Sequence, residues 1–172
     1  DKYGLADSTG KVILPLEYKK IGNFNNKGFA IVEEFGSGKS GVINTKGAFV
    51  LKPEFVQLYS SLNSDKIIGK KDSKYTVFDN SLKIVLQPDT AKTVLVEKDN
   101  MAYVFSDKVK IFDATGKFIK TITQDNLNTS GVKFIGKEKK DSLQIYYHSL
   151  VSVINLQTNK QTRIQGCFDF TD

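Results

Sequence analysis

Proton-transfer chemistry at neutral pH would fall first to His148, the only histidine in the chain. It stands in LQIYYHSL, with Ser149 beside it and Asp141 a few residues earlier. A nucleophile, base and carboxylate can be drawn from these three, but no Gly-x-Ser-x-Gly elbow frames a serine nucleophile. The stretch Gly36-Ser37-Gly38-Lys39-Ser40-Gly41 carries the Lys-Ser ending of a phosphate-binding loop. Its spacing fails, because the position of the first required glycine holds Glu33 and the run that follows, GVINTKG, reads as strand where a phosphate loop needs a helix. The segment is therefore read as a hairpin loop. Glu33 and Glu34 are adjacent, so a strand turns them to opposite faces, which is wrong for a paired acid and base. Asp72, Asp99, Asp107 and Asp125 lie in turns, and no Asp-x-Asp-x-Asp-Gly loop marks calcium. Cys167 is the single cysteine, which excludes an intrachain disulfide and a multi-cysteine zinc site; between Gly166 and Phe168 it reads as an inert packed thiol. No catalytic, cofactor-binding or metal-binding residue is assigned, and no cofactor is expected.

The bulk composition asks for a folded chain. Of 172 residues, 40% are hydrophobic and 26% charged, with 12 Phe and 7 Tyr, a mixture too apolar for disorder. No apolar run approaches the roughly 20 residues of a membrane-spanning helix. The net charge of +6 raises the question of nucleic acid. Every basic residue except Arg163 is Lys, however, and the charge is even: residues 1–86 hold 13 basic and 9 acidic side chains, residues 87–172 hold 12 and 10. Base-edge and phosphate-fork recognition favours clustered Arg, so nucleic acid is disfavoured. The densest basic cluster, 137–141, has acids inside it and reads as a solvated turn.

The elements that would position any site are short and β-rich. Runs such as KVILPL, FAIVEEF, GVIN, YTVFD, TVLVEK, MAYVFS, VKIFD, LQIYYH and VSVIN alternate with turns of Gly, Asn, Asp and Ser, the pattern of antiparallel meanders. Residues 59–66 and 124–130 are the best places for a helical turn. A repeat emerges once turns serve as the ruler. An apolar strand ends in Asp7, Asn44, Asp79, Asp113 or Asn155, a tight turn follows, and a second strand returns; the spacings are 37, 35, 34 and 42 residues. Asp and Asn side chains accept bonds from amides two residues on, and Gly10, Gly47 and Gly116 supply positive φ. In the third and fifth copies Asn80 and Asn159 are expected to take that left-handed place. Pro15, Pro53 and Pro88 follow their pivots by about eight or nine residues, marking where the returning strand leaves the ladder.

With Lys2, Tyr3, Gly4, Asp7, Gly10, Lys11, Pro15, Tyr18, Phe24, Gly28, Ala30 and Val32, the first unit resembles the WG repeat, also called the KWG repeat. That pattern runs basic residue, Trp, Gly, Asp or Asn, Gly-Lys, Pro, Tyr, then Phe, Gly, Ala and Val. Gly41, Asn44, Gly47, Pro53 and Phe55 continue it, as do Tyr75, Asp79 and Pro88, and then Asp113, Gly116 and Lys117. The chain is a divergent member, since it has no Trp; Tyr3, Ser40 and Tyr75 stand in its place. The resemblance implies a bacterial protein of mostly unassigned role, commonly beside other domains, with a secreted, periplasmic or surface setting slightly preferred.

The expected fold is all-β: tandem antiparallel β-meander repeats, propeller-like with about five small blades, the alternative being an open stacked β-repeat array. The whole chain, 1–172, reads as one β-repeat domain with units near 1–28, 29–65, 66–92, 93–131 and 132–165, and 166–172 closing onto the first, which would bring Phe168 and Phe170 near residues 3–6. Tyr3, Tyr18, Phe24, Phe29, Phe49 and Phe55 should form core, and one of Tyr146 and Tyr147 should face out. The functional expectation is a non-enzymatic binding or scaffold module that contacts a protein or glycan through loops, including 36–40 and 59–65. The alternatives are a hydrolase domain using His148, and electrostatic binding to an anionic surface.

Overall fold

Turn chemistry sets the frame. At Asp7, Asn44, Asp79 and Asp113 the side-chain Oδ1 accepts from the amides two and four residues on: Thr9 and Lys11, Lys46 and Ala48, Ser81 and Lys83, Thr115 and Lys117, all at 2.8–3.1 Å. Asn155 accepts from Gln157 and Thr158. Three residues after the pivot the chain takes positive φ, at Gly10 (85°), Gly47 (79°), Gly116 (88°) and, in the third copy, Leu82 (67°). Leu82, not Asn80, thus holds the left-handed place: the turn counts three residues from its carboxylate, and Asn80 falls one after it. Asn159 lies outside the described residues.

The computed structural model describes residues 1–62, 64–123, 132–134, 142–147, 150–158 and 160–165, and among them there are strands and turns but no helix. Two compact units, Asp1–Asp89 and Thr90–Asp172, divide the chain. The first contains a sheet of β1 (Tyr3–Ala6), β2 (Val12–Ile21), β3 (Phe29–Glu34), β4 (Ser40–Asn44) and β5 (Phe49–Phe55), and a sheet of β6 (Gln57–Ser60), β7 (Ile67–Lys71), β8 (Lys74–Phe78) and β9 (Ile84–Asp89). The second contains β10 (Thr93–Val96), β11 (Asn100–Val104), β12 (Lys108–Asp113) and β13 (Phe118–Thr123), then β14 (Val132–Phe134), β15 (Ser142–Tyr147), β16 (Leu150–Asn155) and β17 (Gln161–Gln165). All pairings are antiparallel between sequence neighbours. This is the tandem-meander, propeller-like architecture of the sequence reading.

Register explains the five-stranded sheet. Residues 12–18 of β2 pair with β1 and residues 18–21 with β3, Tyr18 being matched to both Tyr3 and Glu34. One continuous strand therefore closes an opening hairpin and starts the next blade, a junction made elsewhere by two strands, β5 then β6 and β9 then β10. Each sequence repeat consequently spans the last two strands of one blade and the first two of the next. One expectation changes. Residues 59–66 hold no helical turn among those described: Tyr59 and Ser60 end β6, and the segment beyond closes with Ser61 N–H donating to Lys66 O at 2.8 Å. The second candidate, 124–130, lies outside the described residues, as do 137–141, 148–149 and 166–172.

The prolines do not end their strands. Pro15, Pro53 and Pro88 sit inside β2, β5 and β9, at bulges beyond which pairing resumes at Tyr18, Phe55 and Asp89. A bulge leaves an amide without a ladder partner, which proline tolerates. Opposite it, a Cβ on Gly4 would lie 2.8 Å from Leu14 O, and one on Gly41 2.7 Å from Leu51 O, so the repeat's glycine is the floor on which the bulge rests. In β12 and β16 this place holds Lys110 and Ser152, no proline faces it, and the register does not shift there; the shift in the β12–β13 ladder lies nearer the turn, between Ile111 and Phe112.

Core forms where sheets stack. Leu14, Tyr18, Ala30, Val32 and Ile43 pack the opening hairpin on the blade after it, and Val42, Leu58, Ile67 and Phe78 join that blade to β6–β9. In the second unit Ala102, Val104, Val109, Ile111, Leu143, Ile145, Ile154 and Leu156 form one cluster. Tyr18 is buried, and Phe24, Phe29 and Phe55 pack partly buried at cluster margins, as expected. Tyr3 (52% exposed) and Phe49 (39%) are not core, because one lies on an edge strand and the other on a strand just leaving its turn. The strand of Tyr146 and Tyr147 is β15; their side chains lie outside the described residues.

Candidate functional site

Within the first unit, a cleft of about 440 Å3 opens between β3–β4 and β6–β7, and a groove of about 390 Å3 adjoins it; both are lined by Glu33, Ser40, Leu58 and Tyr59. Strand alternation accounts for the composition. Ile31, Glu33, Ser40 and Val42 share the face turned to the second blade, since Glu33 pairs with Ser40 and Ile31 with Val42. Leu58, Ser60 and Ile67 face them from the second blade. The floor is apolar, from Ala30, Val42, Leu58 and Ile67, and the rim is polar, from Lys20, Asn23, Glu33, Gln57 and Ser60. A concave apolar base with a few polar groups is the usual form of a binding site.

The rim's chemistry is that of recognition. Glu33 Oε1 accepts from Lys19 Nζ at 2.7 Å, and this pair is solvent-screened. Glu34 serves a different partner, accepting from Ser37 Oγ at 2.6 Å, so the two acids work separately. Tyr59, 43% exposed, alternates with Leu58 and Ser60 to the other face of β6, and its phenol is pushed up chiefly by desolvation and further by Tyr75. The cleft's wall is tied from below by Asn25. Its Oδ1 accepts from Lys27 N at 2.9 Å and Phe29 N at 3.0 Å, repeating the pivot turn with Gly28 at φ 75°, while its Nδ2 donates to Asn80 O of the next blade at 3.1 Å. The Asn-x-x-Gly signature of residues 25–28 was there to find, but it falls between the two strands of the half-repeat that lacks the pivot spacing.

The loops proposed from sequence, 36–40 and 59–65, contribute Ser40 and Tyr59 to this one cleft. The Gly-Ser-Gly-Lys segment is the β3–β4 turn, with Gly38 at φ 65° and its N–H donating to Glu34 O at 3.1 Å, and the strand β4 follows it. His148, Ser149, Asp141 and Cys167 lie outside the described residues, so the hydrolase alternative acquires no geometry. Among the described residues no cluster of His, Cys, Asp or Glu has the arrangement of a metal site, and no helix is long and apolar enough to cross a membrane.

The fold of the chain has relatives among solved structures. Hsv2 of Kluyveromyces lactis superposes with a TM-score of 0.53 at 9% identity over 92% of this chain and 54% of that one, and its variant with loop 6CD replaced by a Gly-Ser linker scores 0.55. A eukaryotic initiation factor scores 0.53 at 12% identity over 83% of this chain and 42% of that one. The chain thus spans about half the length of these solved structures, and at such identities the likeness is one of fold. Comparison with curated proteins by sequence gave no match. The family described as WG containing repeat matches residues 3–34 and 41–75, the two stretches in which Gly4 and Gly41 floor their proline bulges. On that match, and on the turn and bulge it encloses, residues 3–34 and 41–75 are WG repeats.

Proposed function

We propose that this chain is a non-catalytic binding module and that the cleft between its first two four-stranded blades is the surface that engages a partner. The observation that carries this reading is the cleft's construction: an apolar floor supplied by two blades and a rim of amide, hydroxyl and carboxylate groups whose one acid is already ion-paired. A site so built favours shape and hydrogen bonding over proton transfer, which needs an acid or base with a displaced pKa in reach of the reacting atom. Blades stacked on one another give the rigidity such a surface requires.

The experiment is a screen of the full chain against extended peptides and neutral glycans, with Glu33→Ala as the control. A ligand whose binding drops about tenfold or more with Glu33→Ala, at unchanged melting temperature, is the expected result. Turnover of an ester, glycoside or peptide substrate that His148→Ala abolishes without loss of stability would overturn it in favour of the hydrolase.

A further inference from the structure

One position links the cleft to the repeat. Counting back four residues from the first three pivots gives Tyr3, Ser40 and Tyr75, the place where the repeat's name puts Trp. In the second blade this place is filled: Tyr75 is buried, 7% exposed, with Lys70 Nζ of the neighbouring strand 4.9 Å from its ring centre. In the first blade it holds Ser40, and Ser40 is shared by the cleft and the groove. The residue registered against it is changed too: where Tyr75 pairs with Lys70, Ser40 pairs with Glu33. An aromatic ring and a cation over its face have been replaced by an opening and a carboxylate.

Resting on the binding reading above, we infer that this opening receives an aromatic side chain of a protein partner, one carrying a ring N–H or O–H, in the place the repeat normally fills with its own. Three observations converge. The surrounding frame is one that elsewhere in the chain houses a ring. The apolar floor of Val42, Leu58 and Ile67 suits the ring's carbon surface. Glu33 is an acceptor, complementary to an indole or phenol donor and mismatched to a cation–π lid of the Lys70 kind. A pyranose matches the polar rim but not the carbon floor, and is treated as a competing outcome.

The chain has no Trp, so an indole probe can be read by fluorescence without background from the protein. N-acetyltryptophanamide is titrated against the full chain, against Ser40→Trp and against Glu33→Gln, with methyl glucoside run in parallel. The expected result is saturable binding of the indole probe by the wild type, at least tenfold weaker with Ser40→Trp, and several-fold weaker with Glu33→Gln. The introduced indole should itself emit at the short wavelengths of a buried ring, showing that it fills the opening. Ser40→Tyr, the residue of the first and third units, carries the same test if the larger substitution fails to fold. Equal binding of the probe by wild type and the filled variants would overturn the inference, as would no binding by the wild type. Binding of the glucoside in its place, lost with Ser40→Trp, would overturn it while leaving the binding module intact; a cleft to which neither peptide nor sugar responds would remove both.

Discussion

The same three-residue step from pivot to left-handed residue has different consequences at each copy, and these can be separated by substitution. A Cβ on Gly10 meets nothing within 4 Å, whereas one on Gly47 lies 2.8 Å from Ile13 Cγ2 and 3.0 Å from Ile13 O. Gly10→Ala should therefore cost only the backbone penalty, about 1 kcal/mol, and Gly47→Ala about 1–3 kcal/mol more, because a backbone oxygen cannot step aside. Urea denaturation of both variants measures the difference, and equal losses would refute the close approach. The pivots also titrate. The carboxyls of Asp7 and Asp113 are held below the usual carboxylate range first by the hydroxyls of Thr9 and Thr115, with the turn amides adding to it. A lowered folded pKa gives stability that is present above the ordinary carboxylate value and is lost as pH falls through the lowered one. The doubly substituted Asp7→Asn, Asp113→Asn chain keeps the acceptor oxygens and should show a flatter melting temperature between about pH 5 and about pH 2 than the wild type; a parallel profile would discount the carboxylates. At this scale the sequence was legible wherever a residue type has a single local use. Asp, Asn and Gly at fixed spacing revealed the turns, while Leu82 hid its positive φ because nothing in a leucine announces one.

Strands pair by register, and register rests on glycine and proline acting together. The proline spacing was visible in the sequence, yet it was read as a strand end, because a missing amide hydrogen is equally compatible with an end and with a bulge. Only the opposite strand tells them apart: Gly4 and Gly41 face two of the bulges and Thr76 the third, while at the corresponding place in β12, Lys110, the register does not shift. Strand β6 was missed for a related reason, since Gln57–Ser60 is too short to alternate convincingly and gains its conformation by pairing with β7. Beyond apolar contact, the Glu54–Lys71 ion pair and the Asn25 side chain join the first blade to the next. Asn25→Asp preserves the Oδ1 acceptor used by Lys27 and Phe29 but replaces the Nδ2 donor to Asn80 O with a second oxygen. The expected loss is about 1 kcal/mol, near the worth of one hydrogen bond. Asn44→Asp, in a turn built the same way, is the reference and should cost less. If the two substitutions prove equal by urea denaturation, the inter-blade bond contributes nothing to stability.

Across the first unit, apolar residues of one strand serve two different layers. Val42 and Ile43 are neighbours in β4, both fully buried, yet strand alternation sends Ile43 to the cluster with Leu14, Tyr18, Ala30 and Val32 and Val42 to the cluster with Leu58, Ile67 and Phe78. Alternating apolar residues would mark one buried face; a run buried on both, as GVIN is, marks a blade with neighbours on each side, and that was the architectural signal carried by so short a segment. The candidate cleft was less legible, because it depends on which blade faces Ser40, a tertiary fact that no spacing within one repeat encodes. Stability in such a stack approximates a sum over neighbouring layers. Ile43→Ala should cost about 2–5 kcal/mol and Val42→Ala about 2 kcal/mol, by lost transfer energy and the cavity left behind. Their effects should differ in place more than in size. Native-state hydrogen exchange should show Ile43→Ala accelerating the amides of the β1–β2 hairpin and Val42→Ala those of β6–β9, each leaving the other layer's slowest amides within a few-fold of wild type. Uniform acceleration in both variants would mean that the unit opens as one body, and that adjacent side chains on opposite faces of β4 do not partition its stability.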